Sequence, residues 1–228
     1  MAAKARVTAG GHWTVQVRNH GNFEGEAANS PGIGSVFGDY PEIIDAARSN
    51  PEGRLDDFQR HKLRVWTIVN LGLGRFGALD IAPLWRYNSA LTYSHAANVA
   101  VTAAQRANNP GYARVPTAQT IFFGERGSHE FAAYGLVDLS ATYEVPVWQR
   151  IRPWLRFEVL NVLNNDKLIA WNTTVMADPN SPLDSNGLPT GYIQGPLYGR
   201  GTATTHYPRP RPGMTGGRTF MGALGVRF

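Results

Sequence analysis

The chain ends on GRTFMGALGVRF, residues 217–228. Its even positions are Phe220, Gly222, Leu224, Val226 and Phe228, and all but the glycine are large and apolar. Thr219, Met221, Ala223, Gly225 and Arg227 alternate with them. Side chains on a strand point to opposite faces in turn, so this spacing predicts a strand with one apolar face, ending on an aromatic residue with no polar tail.

The same period recurs five times upstream, which predicts strands near 11–20, 60–72, 78–88, 135–146 and 153–164, with the last near 218–228. In the first, Trp13, Val15 and Val17 alternate with Thr14, Gln16 and Arg18. In the second, Leu63, Val65, Thr67, Val69 and Leu71 oppose Lys62, Arg64 and Asn70, with Trp66 and Ile68 on the polar side. In the third to fifth, Asp80, Arg86, Asp138, Glu144, Arg156 and Glu158 all fall opposite the apolar set. Pro83 lies in mid-strand on the apolar parity and has no N–H to donate, so a bulge or a locally open pair is expected there.

The connections alternate in length. GLGRFG (72–77) and PVWQRIR (146–152) are short. The segments 21–59, 89–134 and 165–217 are each roughly 40–50 residues and rich in Gly, Pro, Asn and Ser. Structureless loops beyond about 12–15 residues are uncommon in compact soluble domains, whereas outer-membrane barrels combine short periplasmic turns with long extracellular loops. Strands of about ten residues also match the length a tilted strand needs to cross a bilayer. The expected fold is therefore all-β: an antiparallel transmembrane β-barrel segment of about six strands with long extracellular loops. Six strands are fewer than the eight of the smallest barrels, so an incomplete part of a larger barrel is expected, from a truncated gene model or a cut-out domain. Long loops outside would place Phe228 at the periplasmic rim. Phe76, Trp148, Trp154 and Phe228 would then form an inner aromatic girdle, and Tyr87, Phe131, Tyr134 and Phe220 an outer one.

Composition narrows the function classes. No run of 18 apolar residues would make a transmembrane helix, and the N-terminus lacks the apolar run of a secretory signal. There is no cysteine, which excludes disulfides and thiolate ligands. The net charge of +5 comes from scattered Lys and Arg without a basic run, so nucleic acid is not an expected partner.

The terminal stretch, with Phe220, Leu224, Val226 and Phe228, is similar to the C-terminal strand that the barrel-assembly machinery reads in outer-membrane proteins. More specifically, GNFEGEAANSPGIGSVFGDYPE (21–42), GRLDDFQRHKLRVW (53–66), PWLRFEVLNVLNN (153–165) and GGRTFMGALGVRF (216–228) resemble the C-terminal part of TonB-dependent receptors, in particular the Oar-like group. The resemblance spans nearly the whole of 1–228. It implies one part of a 22-stranded transporter in the outer membrane of a Gram-negative-type cell, taking up a scarce small-molecule, glycan or peptide substrate. Contact with the TonB complex would be made through an N-terminal part that lies outside these residues. On this reading Arg64, Arg86, Asp138, Arg156 and Glu158 face the lumen and are candidate substrate contacts. No catalysis, cofactor or metal is expected.

Other constellations have simpler readings. DPNSPLDSNGLPTG (178–191) offers oxygen ligands, but its twelfth position is Pro189 where an EF-hand needs Glu, so it reads as a solvated loop. Asp56, Asp57, Arg60 and His61 read as a charged rim. His12, His20, His95, His129 and His206 have no metal-site spacing. HYPRPRPG (206–213) reads as an extended lead into the last strand. Two further alternatives stay open: a non-transporting outer-membrane binding or adhesion protein, and a soluble β-sandwich enzyme with catalytic residues on its loops.

Overall fold

A computed structural model of the chain describes residues 4–22, 46–107, 117–147, 151–211, 213–214 and 216–228. Its main element is one six-stranded antiparallel sheet: β1 (Lys4–Val15), β2 (His61–Gly72), β3 (Ala78–Asn88), β4 (Tyr134–Glu144), β5 (Arg152–Leu160) and β6 (Thr219–Arg227). Spatial order equals chain order, so the sheet is an up-and-down meander. β1 and β6 do not pair, and among the described residues the sheet is open at both edges. The class is thus predominantly β with antiparallel sheets; barrel closure is not seen.

Two strand boundaries differ from the sequence expectation. β1 runs Lys4–Val15 rather than 11–20. Its N-terminal half alternates Lys4, Arg6, Thr8 and Gly10 with Ala5, Val7, Ala9 and Gly11, residues too small to give a strong hydrophobic signal. Pairing with β2 fixes it, in one unbroken register from Lys4↔Gly72 to Val15↔His61. β5 stops at Leu160 rather than near 164, because Asn161 takes a positive φ of 54° and turns the chain. Leu163 consequently lies outside the sheet, 71% exposed. At Pro83 the ladder opens without a bulge. β2 and β3 pair up to Trp66↔Leu84, resume at Val69↔Ile81 in the same register, and skip the two positions between. The other side of Pro83 keeps its partner, Leu139 of β4. The proline thus leaves its gap toward β2, where an N–H is lacking.

The register assigns every side chain of the sheet to a face, since directly paired residues point the same way. Every Lys, Arg, Asp and Glu of the six strands falls on one face. The other carries Val7, Trp13, Val65, Val69, Trp85, Leu139, Leu155, Phe157, Phe220, Leu224 and their neighbours. Burial is inverted relative to a soluble sheet. No strand residue on the apolar face is buried, whereas the buried sheet residues Asn88, Leu136, Asp138 and Leu160 all lie on the polar face. Leu224 is 83% and Leu155 58% exposed. A soluble sheet of this length would cover that face with a second layer.

The core sits instead in the three long connections, which fold together at one end of the sheet. Thr92–Tyr93 pairs His129–Glu130, Ala96–Ala100 pairs Ala118–Phe122, and Val175–Ala177 pairs Tyr192–Gln194. Val101, Ile121 and Leu188 form a buried cluster among them. Arg48 ties all three connections. It donates to Asp184 at 2.7 Å and to the carbonyls of Pro189 and Phe122 at 2.8 and 3.5 Å, and lies over the Phe123 ring. Segment 23–45, which carries much of the first resembling stretch, lies outside the described residues, as does Trp148.

Aromatic placement corrects part of the girdle expectation. Trp13, Trp85, Tyr87 and Phe220 sit on the apolar face toward the loop-bearing end. At the opposite end Tyr143 is on that face and donates its hydroxyl to the Phe76 carbonyl at 2.5 Å. Phe228, 98% exposed, follows the last strand. Trp154 and Tyr134 are on the polar face, and Phe131 packs inside the loop cap on Tyr93 and Trp171. Trp154 has a local reason for its position. It lies across Gly225 of β6, where a Cβ would come within 2.6 Å of the indole, and Trp66 covers Gly10 of β1 in the same way. Each pair sets a large ring over a glycine, so a side chain at either glycine would collide with it.

Candidate functional site

The polar face of the sheet is partly roofed at its loop-bearing end. Residues Tyr207–Arg211, read from sequence as an extended lead, also form a strap across that face. Arg86 of β3 donates to the Pro210 carbonyl at 2.8 Å. Arg211 reaches Glu158 of β5 at 3.1 Å. Pro208 and Pro210 are buried beneath the chain. Under the strap lies a cavity of about 330 Å³, bordered by Arg86, Ser89, Tyr134, Ile169, Arg209 and Arg211 among others.

The five lumen candidates named from sequence share the polar face, and four of them meet in two charged groups. Arg64 and Arg86 are direct cross-strand partners. Arg86 pairs with Asp138 at 2.7 Å, with the side chains only 19% and 12% exposed. Asp138 also accepts the Asn161 N–H at 2.8 Å, which fixes the turn that ends β5. Arg64 instead donates to the carbonyls of Leu63 and Tyr87 and to Asn88 Oδ1. On β5, Glu158 holds Arg156 at 3.6 Å as well as Arg211. Arg209, Arg211 and Tyr207 were not identified from sequence. Their only signal was the Pro-Arg repeat, which local pattern reads as extended chain.

The four assembly-signal residues are placed as their spacing predicts in one respect: Phe220, Leu224 and Val226 share the apolar face of β6, with Gly222 between. Phe228 lies beyond the strand.

A second cluster lies within the loop cap. His95 is 5% exposed; its Nε2 is 2.7 Å from the Tyr198 hydroxyl and its ring 4.2 Å from that of His129. Tyr93, Phe131, Trp171 and Tyr192 pack around these rings. Burial lowers the His95 pKa, and the neighbouring His129 lowers it further. Burial together with a hydrogen bond to Tyr93 raises that of Tyr198, which remains a neutral phenol. In the 178–191 loop, Asp184 is desolvated, yet N–H donors of Leu188 and Asn186 and the Arg48 guanidinium hold its carboxyl below the usual range. That loop carboxylate is thus taken up by a structural tie.

The His95 environment gives a pH dependence with a definite sign. An imidazole held neutral in the folded cap binds fewer protons than in an unfolded cap, so stability is lost as pH falls below the free value of 6.5. Once the intrinsic slowing of amide exchange at lower pH is corrected for, the protection of residues 92–98 and 192–198 is expected to fall between pH 7.5 and 5. His95→Phe should flatten that profile; an unchanged profile would show that another group controls the cap.

The fold and the site define a class: a β-meander with an uncovered apolar face, a charged opposite face and a structured cap of loops. Comparison with known proteins finds no family model, no curated protein and no solved structure that matches the chain.

Proposed function

We propose that the chain is the C-terminal barrel segment of a TonB-dependent outer-membrane receptor of the Oar-like group, contributing to uptake of a scarce substrate without catalysing a reaction. The single observation carrying this reading is the inverted sheet. Its charges lie on one face, and its apolar face has no buried residue along six strands of nine to twelve residues. Lipid is the medium that makes such a face favourable, and a wet lumen tolerates the opposite one. The aromatic residues at both ends of the apolar face fit headgroup-level positions. The unpaired edges of β1 and β6 carry a requirement. Open backbone groups in lipid cost several kcal/mol each, so a spanning sheet must be continued by further strands. β6, with Phe220, Leu224, Val226 and Phe228, would be the strand presented to the barrel-assembly machinery. The cap would face the cell exterior, and Arg64, Arg86, Asp138, Arg156 and Glu158 would face the lumen.

Site-directed labelling tests the orientation. In the complete receptor that contains this chain, Glu52→Cys, Glu125→Cys and Ser185→Cys, in the three long loops, should react with an impermeant maleimide on intact cells. Arg75→Cys, in the short turn after β2, should react only after the outer membrane is permeabilised. Labelling of Arg75→Cys with protection of all three loop sites would reverse the topology, and purification of the protein from the aqueous fraction without detergent would end the membrane reading.

A further inference from the structure

The cavity beneath the strap collects positive charge beyond what its ion pairs explain. Arg86, Arg209 and Arg211 border it, and Arg64 stands directly opposite Arg86 on the neighbouring strand. The carboxylates within this group are Asp138 and Glu158. Asp138 is engaged with Arg86, and Glu158 with both Arg211 and Arg156. Arg64 is left with carbonyl and amide oxygens as its acceptors, and Arg209 is exposed with no ion-pair partner among the described residues. Arg86 Nε is shut off from solvent and has no hydrogen-bond acceptor among the described residues. Pinning the strap to the sheet would require only Arg86 and Arg211. It does not account for a second arginine placed directly across from Arg86, since like charges in that position repel.

We propose that this cavity is a binding site for a multivalent oxyanion, a small molecule bearing at least two carboxylate or phosphate groups. Guanidinium forks match the planar oxygens of either group and bind them in pairs, with greater strength where water is partly excluded. The anion would bridge Arg209 and Arg211 of the strap over Arg86 of the sheet, offsetting the positive charge that Arg64 adds on the neighbouring strand and holding the strap down. The proposal deepens the uptake reading by naming a substrate class, and it rests on that reading for the ligand's role but not for its binding.

Isothermal titration of the full chain in detergent micelles, at fixed ionic strength, tests it. Citrate and inorganic pyrophosphate are the two probes, separating carboxylate from phosphate, and spermidine is the cation control. One saturable site for citrate or pyrophosphate is expected, with none for spermidine. Arg209→Gln should weaken it roughly tenfold, the loss of one charge-assisted contact. Because Arg209 is exposed and has no ion pair among the described residues, the far-ultraviolet circular dichroism and melting profile of that variant should match the parent. Arg211→Gln should weaken it at least as much. Absence of saturable binding by both anions, or an affinity that neither substitution changes, would overturn the proposal. The cysteine-labelling experiment reads the membrane topology independently, so an anion site and a failed insertion would be distinguished.

Discussion

Leu139→Arg is expected to destabilise the protein in lipid by about 2–4 kcal/mol, while Ser140→Arg, one residue along the same strand, is nearly neutral. Leu139 lies in the middle of β4 on the apolar face, paired with Pro83 and Val159. Ser140 points the other way and is paired with Glu158, a carboxylate that a new guanidinium can meet. A basic side chain at the bilayer midplane loses its hydration, and one facing a wet lumen keeps it. Urea unfolding, in phospholipid vesicles, of the complete barrel that contains this chain measures the difference, and outer-membrane yield should follow it. In aqueous surroundings the order would not hold, because an arginine in place of a half-exposed leucine that can turn to water costs far less. Equal stability of the two variants in vesicles would therefore remove the main support for the membrane reading.

Asp138→Ala is expected to cost about 3–5 kcal/mol, the range for leaving one member of a sequestered ion pair without its partner. Two groups lose their acceptor. The Arg86 guanidinium, 19% exposed, loses its carboxylate at 2.7 Å. The N–H of Asn161, a residue with no exposed surface, loses its acceptor at the turn that ends β5. Asp138→Asn keeps an oxygen for Asn161 and removes the charge, so it should cost less than the alanine change. Combining Asp138→Ala with Arg86→Met removes the stranded cation and should recover part of the loss. Chemical unfolding in detergent gives the magnitudes, and amide exchange at 161–165 should report the freed turn specifically. A cost below about 0.5 kcal/mol, the scale of a surface substitution, would mean that solvent screens the pair.

Much of the sheet is legible in the sequence. Asp80, Arg86, Asp138, Glu144, Arg156 and Glu158 can be assigned to one face by parity alone, because the side-chain period of a strand is a local property. The open pair at Pro83 is legible for the same reason, as a missing donor is written in the residue itself. Parity misleads where the strand ends unannounced. Leu163 continues the alternation of β5, but Asn161 has already turned the chain away. Aromatic residues were harder to place. Parity separates Tyr87, which alternates with Arg86, from Tyr134, which shares the parity of Asp138, but an aromatic at a strand end reads equally as rim or core until the pairing Tyr134↔Asn88 fixes its place.

The candidate site was legible only in part. Arg64, Arg86, Asp138, Arg156 and Glu158 were named from the strands, but their partners were not. Arg86 meets Pro210 across 124 positions, Arg211 meets Glu158 across 53, and Arg48 meets Asp184 across 136. Such contacts depend on how the long connections close, and those segments carry no hydrophobic period to reveal it. His95 and His129 likewise have no motif spacing. They meet because the hairpin pairing Thr92–Tyr93 with His129–Glu130 brings their segments together.

By itself, then, the sequence determined six strands, their order of faces, and the separation of charge from apolar surface, since these follow from a two-residue repeat along the chain. The tertiary structure decided that no described residue of the apolar face is buried, that the described parts of the three long connections fold into one cap, and that the 207–211 strap lays its arginines over those of the sheet. Each of these depends on contacts between distant segments, which only the packed chain specifies.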